Sequence, residues 1–403
     1  MNRPELLIPA GNLEKLRTAV LYGADAVYAG VAGLSLRAAA AELSLDDLAA
    51  GKAEAHANGV KLYIALNTFA RNQDLARVAA TLPLLADIGV DGIIVSDPGV
   101  IRLARQIAPG IPLHLSTQAN TTNSAAVRFW LEQGVSRMVL ARELSLAEIG
   151  AVHQEVPEAE LEIFAHGAMC VAYSGRCFLS AYRNRRSSNQ GDCTQPCRWE
   201  YALVESTRPN DPFRLEADDR YSYLLSSRDL CLIEYLPELA AAGVGSLKVE
   251  GRMKSAYYVA VVTRTYRWAL EAWAANPENY HCRPEWLAEL AKISNRGYTT
   301  GFYFAKEPVH ELNPDVKYMQ TYDLVGTVLE YDPTAGRILV GVRNRLGSGD
   351  ELELLLPDAT VRLDPSAMTD HNGLPVQTAH NDYRVYLPVD RAVPVGAVLR
   401  RKL

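Results

Sequence analysis

The 403-residue chain lacks any run of apolar residues long enough to cross a bilayer, a span that takes about 20 of them. The Met1-Asn-Arg-Pro start leads straight into Leu6-Leu7-Ile8, without the apolar core and small-residue cleavage site of a signal peptide. A soluble cytoplasmic protein with no membrane partner is therefore expected. Basic charge is not in surplus: the net charge is −6 and the pI about 5.8, so no global field draws in nucleic acid and an RNA partner must be held by a local patch. After the first apolar run the chain reads Pro9-Ala10-Gly11-Asn12 instead of Gly-x-Gly-x-x-Gly, which argues against a dinucleotide-binding turn. His-Glu-x-x-His, Gly-x-Ser-x-Gly and Asp-Thr/Ser-Gly are all missing, and with them the usual local arrangements that activate water or a serine.

What the chain does have is one repeated rhythm. Short apolar runs at residues 6–10, 26–29, 62–67, 92–96, 113–116, 138–141, 161–165 and 246–249 alternate with amphipathic helical stretches. Several of those stretches stop at a glycine (Gly23, Gly59, Gly89, Gly134 and Gly243), as helices do when the next residue must turn left-handed before a strand. Eight such units predict an α/β protein with a (β/α)8 TIM-type barrel, its parallel strands buried inside a ring of helices. The rhythm breaks at about residues 166–225, an insertion after strand seven. From about Tyr322 short alternating strands with turn residues between them predict a small C-terminal antiparallel β-barrel. The expected division is a barrel with its insertion over 1–306, then a Pro-bearing link and the small domain over 307–403.

The insertion gathers four of the six cysteines, Cys170, Cys177, Cys193 and Cys197, spaced Cys-x6-Cys-x15-Cys-x3-Cys. Grouped thiols in a reducing compartment point to metal or redox chemistry, either zinc or an iron–sulfur cluster. Zinc sites favour paired close knuckles, and only Cys193 and Cys197 make one. The same two match the first gap of a radical-SAM motif, but Glu200 stands where its third cysteine belongs. Cys231 lies at an expected helix start, either in the core or as an alternate ligand. Arg176, Arg183, Arg185, Arg186 and Arg198 make the segment locally basic against Asp192 and Glu200, suited to offsetting cluster charge or gripping carboxylates or phosphates.

Polar residues fall in one phase after successive strands: Asn67-Thr68, Ser96-Asp97, Ser116-Thr-Gln118, Arg142-Glu143, His166 and Glu250-Gly-Arg252. In such barrels the chemistry sits at the C-terminal ends of the strands.

The string from Glu162 to Ser180 resembles the signature of peptidase family U32, the collagenase-like proteins. Gly23-Ala-Asp-Ala-Val-Tyr28, Leu140-Ala-Arg-Glu-Leu-Ser145, Asn189-Gln-Gly-Asp-Cys-Thr-Gln-Pro-Cys-Arg-Trp199 and Lys248-Val-Glu-Gly-Arg-Met253 agree with it. Within that family the chain is most similar to the tRNA wobble-uridine hydroxylases. The resemblance implies an enzyme that installs a hydroxyl at C5 of the wobble uridine without molecular oxygen, with prephenate as co-substrate and tRNA as partner. It places Cys170, Cys177, Cys193 and Cys197 on ligand positions of a [4Fe–4S] cluster. For that reaction Glu143, Glu250 and Arg252 are the expected catalytic residues. Asn67 and Gln118 would meet the base edge, Arg142 and Lys248 would clamp substrate, and Arg183, Arg185 and Arg186 would hold RNA. The alternative is a U32-type peptidase, formally a Cys–His enzyme with His166 near Cys170.

Overall fold

The computed structural model describes residues 3–31, 34–35, 43–169, 172–190, 192–199, 202–203, 207, 213–214, 228–304 and 319–403. The barrel strands are β1 (Glu5–Ala10), β2 (Ala26–Gly30), β3 (Lys61–Leu66), β4 (Gly92–Val95), β5 (Leu113–Leu115), β6 (Arg137–Val139), β7 (Glu160–Ala168) and β8 (Val244–Val249). Each pairs in parallel with the next, and β8 closes the ring against β1, with Glu5 opposite Ser246. A closed parallel barrel buries both strand faces, which is why these runs read as nearly continuous apolar sequence. Ser and Asn residues start several helices: Asn12, Ser44, Asn123 and Ser255 accept backbone N–H groups, and Ser145 forms a capping box with Glu148. The five expected glycine stops carry φ between +71° and +95°. At Gly243 no side chain fits, since a Cβ would lie 2.1 Å from the His153 ring.

The lower half of the barrel interior is ionic. Arg137 at the start of β6 reaches Glu5 (2.6 Å), Glu160 (2.5 Å) and Glu162 (3.1 Å), and Glu162 also accepts from Lys248 Nζ (2.6 Å). Tyr63 OH donates to Glu5 (2.8 Å). Opposite charges follow one another along this chain of contacts, and each is compensated by a neighbour from another strand.

The second layer is a six-stranded antiparallel sheet made of β9 (Tyr322–Asp332), β10 (Arg337–Val342), β11 (Leu352–Leu355), β12 (Thr360–Leu363), β13 (Arg384–Pro388) and β14 (Val398–Lys402). Its order is β12-β11-β14-β9-β10-β13. The expected link at 307–314 lies outside the described residues. The sheet packs directly on the barrel. Tyr22 OH donates to Leu355 O (2.6 Å) and accepts from Val398 N (3.0 Å), and Trp268 Nε1 donates to Pro357 O (2.8 Å). Buried Arg400 pairs with Glu289 of the helix Pro284–Ala291 (2.7 Å).

Candidate active site at the barrel mouth

A cavity opens at the C-terminal ends of the strands. Its walls include Asn67, Gln118, Arg142, Glu143, Lys248, Glu250 and Arg252, together with Cys177, Cys193 and Cys197 of the insertion. The polar residues, far apart in sequence, share it because they lie at or just past the C-terminal ends of the strands, and the insertion brings its cysteines to the same rim.

Asn67 and Gln118 are joined through one hydroxyl: Asn67 Nδ2 donates to Ser116 Oγ (3.2 Å), and Ser116 Oγ donates to Gln118 Oε1 (3.4 Å). The Arg142 guanidinium lies 4.2 Å over the Phe164 ring and donates to Ala168 O (3.2 Å). Lys248 Nζ stands 4.5 Å over the Tyr28 ring while paired to Glu162, so the ionic column of the interior ends in the cavity floor. Burial pulls the Lys248 pKa below its ordinary value, and Glu162 offsets part of that. Arg252 Nη1 donates to Ser35 Oγ (3.2 Å). Gly30 makes room for it, since a Cβ there would lie 2.6 Å from Nη1. The Glu250 backbone is held on both sides, its N–H donating to His166 O (2.8 Å) and its O accepting from Tyr258 OH (2.9 Å).

The insertion is strapped across this rim. The Glu143 carboxylate accepts the N–H (2.9 Å) and hydroxyl (3.2 Å) of Ser174. Gly175, with φ +73°, presses on Gln118 so closely that a Cβ would lie 2.4 Å from Gln118 O. On the opposite side Phe69 N donates to Asn189 O (3.1 Å), and Ser188 Oγ donates to Cys177 O (3.0 Å). Thr194 N donates to Ser180 Oγ (3.0 Å), tying the Cys193 loop to the short helix Leu179–Asn184. Glu143 thus acts in this structure as an anchor for the segment that carries Cys177.

Cys170 lies outside the described residues. Among the described residues no three His, Cys, Asp or Glu side chains converge as ligands of one metal ion do. A four-iron cluster takes its thiolates on four separate irons, so its sulfurs need not meet at one point. Gln195 N–H donates to Cys193 Sγ (3.4 Å), the kind of backbone hydrogen bond that favours a cluster-bound thiolate. Cys177, Cys193 and Cys197, sharing one cavity wall, have the donor chemistry that such a group takes. Arg183, Arg185 and Arg186 lie on the insertion outside the cavity lining, with Arg186 paired to Asp192 (2.5 Å).

Two residues behave differently from the sequence expectation. Cys231 sits in a short strand, Asp229–Cys231, and not at a helix start, because β7 runs past the barrel rim and offers an edge that pairs Cys231 with His166. Burial pushes its thiol up to about 12, and it does not line the cavity. His166 is enclosed by Tyr258, Tyr266 and Tyr298, with ring centroids 6.0, 5.5 and 5.3 Å away. Burial pulls its pKa to about 4. Sequence reasoning missed Glu162 as the partner of Lys248. The available signal was a carboxylate inside an otherwise apolar strand, a position that demands a buried cation.

The family model of peptidase family U32 matches residues 11–313, and that of the peptidase family U32 C-terminal domain matches residues 320–400. The chain is 44% identical over 358 residues to tRNA hydroxylation protein P1 of Bacillus subtilis (strain 168), covering 88% of this chain and 84% of that protein. It is 34% identical to the 23S rRNA 5-hydroxycytidine C2501 synthase of Escherichia coli (strain K12), covering 96% of this chain and 57% of that protein. It is 30% identical to a protein named Collagenase from Porphyromonas gingivalis (strain ATCC BAA-308 / W83), covering 98% of this chain and 96% of that protein.

Proposed function

The chain belongs to peptidase family U32, and from that premise and the geometry of the mouth we propose that it is an RNA-modifying enzyme that hydroxylates tRNA. In finer detail, the wobble uridine is converted to 5-hydroxyuridine without molecular oxygen, with prephenate as co-substrate and a [4Fe–4S] cluster on Cys170, Cys177, Cys193 and Cys197. The observation that carries the reading is one cavity whose wall is built both from insertion cysteines and from the polar residues that end the barrel strands. The relatives with RNA-hydroxylating names include one whose name specifies the 5 position of a pyrimidine.

Each group has work to do in this reaction. An unpaired wobble base can be splayed out of its loop at a modest cost in stacking. Asn67 and Gln118, prealigned through Ser116, offer an amide row to the base edge. Arg142, Arg252 and Lys248 supply cations for a dicarboxylate, and Glu250 lies beside them as the candidate proton acceptor. The cluster, when bound, supplies a redox-active or anchoring metal centre at the cavity wall. The insertion, held at Glu143 and Phe69, keeps bulk water from one side of the cavity.

The relative named Collagenase keeps peptide hydrolysis as the second reading. His166 weighs against a Cys–His version of it, because a base sealed among tyrosines reaches no substrate. Mass spectrometry of tRNA nucleosides from a strain lacking the gene tests the proposal. We expect 5-hydroxyuridine-type nucleosides to disappear, to return with the intact gene, and not to return with Glu250→Gln or Arg252→Ala although those proteins keep their iron. Unchanged wobble nucleosides in the deletion strain, without a second family member present, overturn the proposal; gelatin cleavage by the purified protein would then favour the peptidase.

A further inference from the structure

The insertion carries a surface that the reaction chemistry does not use. Tyr173, Phe178, Tyr182 and Trp199 are all exposed there, Phe178 at 78% and Tyr182 at 85%, whereas the other exposed aromatic rings among the described residues are Phe129, Phe304 and Tyr383. Phe178 and Tyr182 stand four residues apart across the first turn of the helix Leu179–Asn184, with Tyr182 N donating to Phe178 O (2.9 Å). That spacing sets the two rings on one helix face, where they line a shallow groove with Leu179 and Ala181. Rings this exposed add almost nothing to the core, and grouped apolar exposure of this kind marks an interaction site.

The charge around the rings selects the partner. Between residues 173 and 199 five arginines stand against the single acid Asp192, in a chain whose net charge is −6. Planar rings interleaved with arginines form the surface that grips single-stranded nucleic acid, the rings stacking bases and the guanidiniums meeting phosphates. The patch is continuous with the cavity: Tyr173 and Cys177 line the cavity wall, and Phe178 follows Cys177 directly. We propose that Phe178 and Tyr182 form a stacking platform for unpaired bases that neighbour the target nucleotide, so that the loop is gripped outside the cavity while one base enters it. This inference rests on the RNA-hydroxylase reading and adds the means by which a loop is distinguished from a duplex.

Binding of an unmodified tRNA with a wobble uridine, of its isolated anticodon stem-loop, and of a fully paired RNA duplex of equal charge tests the platform across a range of salt concentrations. For the double variant Phe178→Ala/Tyr182→Ala, loss of one stacked base weakens stem-loop and tRNA binding roughly 5- to 150-fold. The slope of log affinity against log salt stays unchanged, because every arginine that meets a phosphate is retained, and duplex binding does not move. Arg183→Ala/Arg185→Ala has the opposite signature, flattening the slope by about one unit for each phosphate no longer neutralised. The ring-preserving variant Phe178→Tyr/Tyr182→Phe binds like wild type, and unaltered thermal unfolding of the alanine double variant establishes that it is folded. Stem-loop affinity of that variant within about twofold of wild type overturns the platform; the hydroxylase reading survives that result as long as wild type binds tRNA. If wild type binds no tRNA, and the double variant loses self-association instead, both the platform and the reading fall.

Discussion

His166 offers the sharpest test of what the barrel mouth is. It lies near the end of β7 and close to Cys170 in sequence, which makes it the expected base of a Cys–His peptidase. In the structure its imidazole sits in a tyrosine cage, 1% exposed, and its Nδ1 has no hydrogen-bond partner among the described residues. Burial is the main cause of its lowered pKa, from 6.5 to about 4; Asp229 opposes the shift and Lys254 adds to it. The linkage sign follows from that depression. The unfolded chain takes up the proton first, so the stability contributed by neutral His166 is fully present above about pH 6.5 and is lost as pH falls toward 4. Between pH 7 and pH 5 the loss from this one group is on the order of 2 kcal/mol. His166→Phe keeps a ring in the cage and removes the titration. Urea unfolding of both proteins at pH 7 and pH 5 should show wild type losing about 2 kcal/mol more than the variant on acidification. The variant should also restore tRNA modification in a deletion strain. Equal acid losses in the two proteins would refute the burial argument, and loss of modification by a folded variant would return His166 to the chemistry.

Cys177→Ala, Cys193→Ala and Cys197→Ala should each lose most of the iron from anaerobically purified protein, and full iron in the last two would exclude this ligand set. Glu162→Leu leaves Lys248 and Arg137 without a buried carboxylate they share. It should cost about 3–5 kcal/mol, and an unshifted melting temperature would contradict the ionic column. Burial pushes the Glu289 carboxyl up, but hydrogen bonds from Arg400 and the charges of Arg400, Arg264 and Lys292 outweigh it and hold the group at about 2. The stability from Glu289 is therefore present above about pH 4.5 and fades as pH falls through 2. Denaturation of Glu289→Ala should show a deficit of about 3–5 kcal/mol at pH 7 that narrows in acid. Ending the chain at residue 314 removes the partners of Tyr22, Trp268 and Arg264 at the sheet interface, so the shortened protein should melt at lower temperature or aggregate.

The barrel, its eight strands, the glycine ends of its helices and the rim on which the polar residues gather were all legible in the bare chain. Those features are local: a strand buried on both faces must be apolar, a helix must be capped, and residues after successive parallel strands must face the same end. The clustering of cysteines in the interruption after strand seven was equally legible. Which charge meets which partner was not. The phase of Glu143 places it on the rim, while its partner there, the Ser174 turn, is announced by nothing near residue 143. Lys248 is an expected substrate clamp, and its buried partner Glu162 is met only when closure sets β8 beside β7. Arg400 stands in the basic run Arg400-Arg401-Lys402, yet it is buried in β14 because Glu289, over a hundred residues earlier in the chain, waits across the interface. A charge's partner and burial depend on which distant segments closure brings together, and periodicity along the chain carries no record of that.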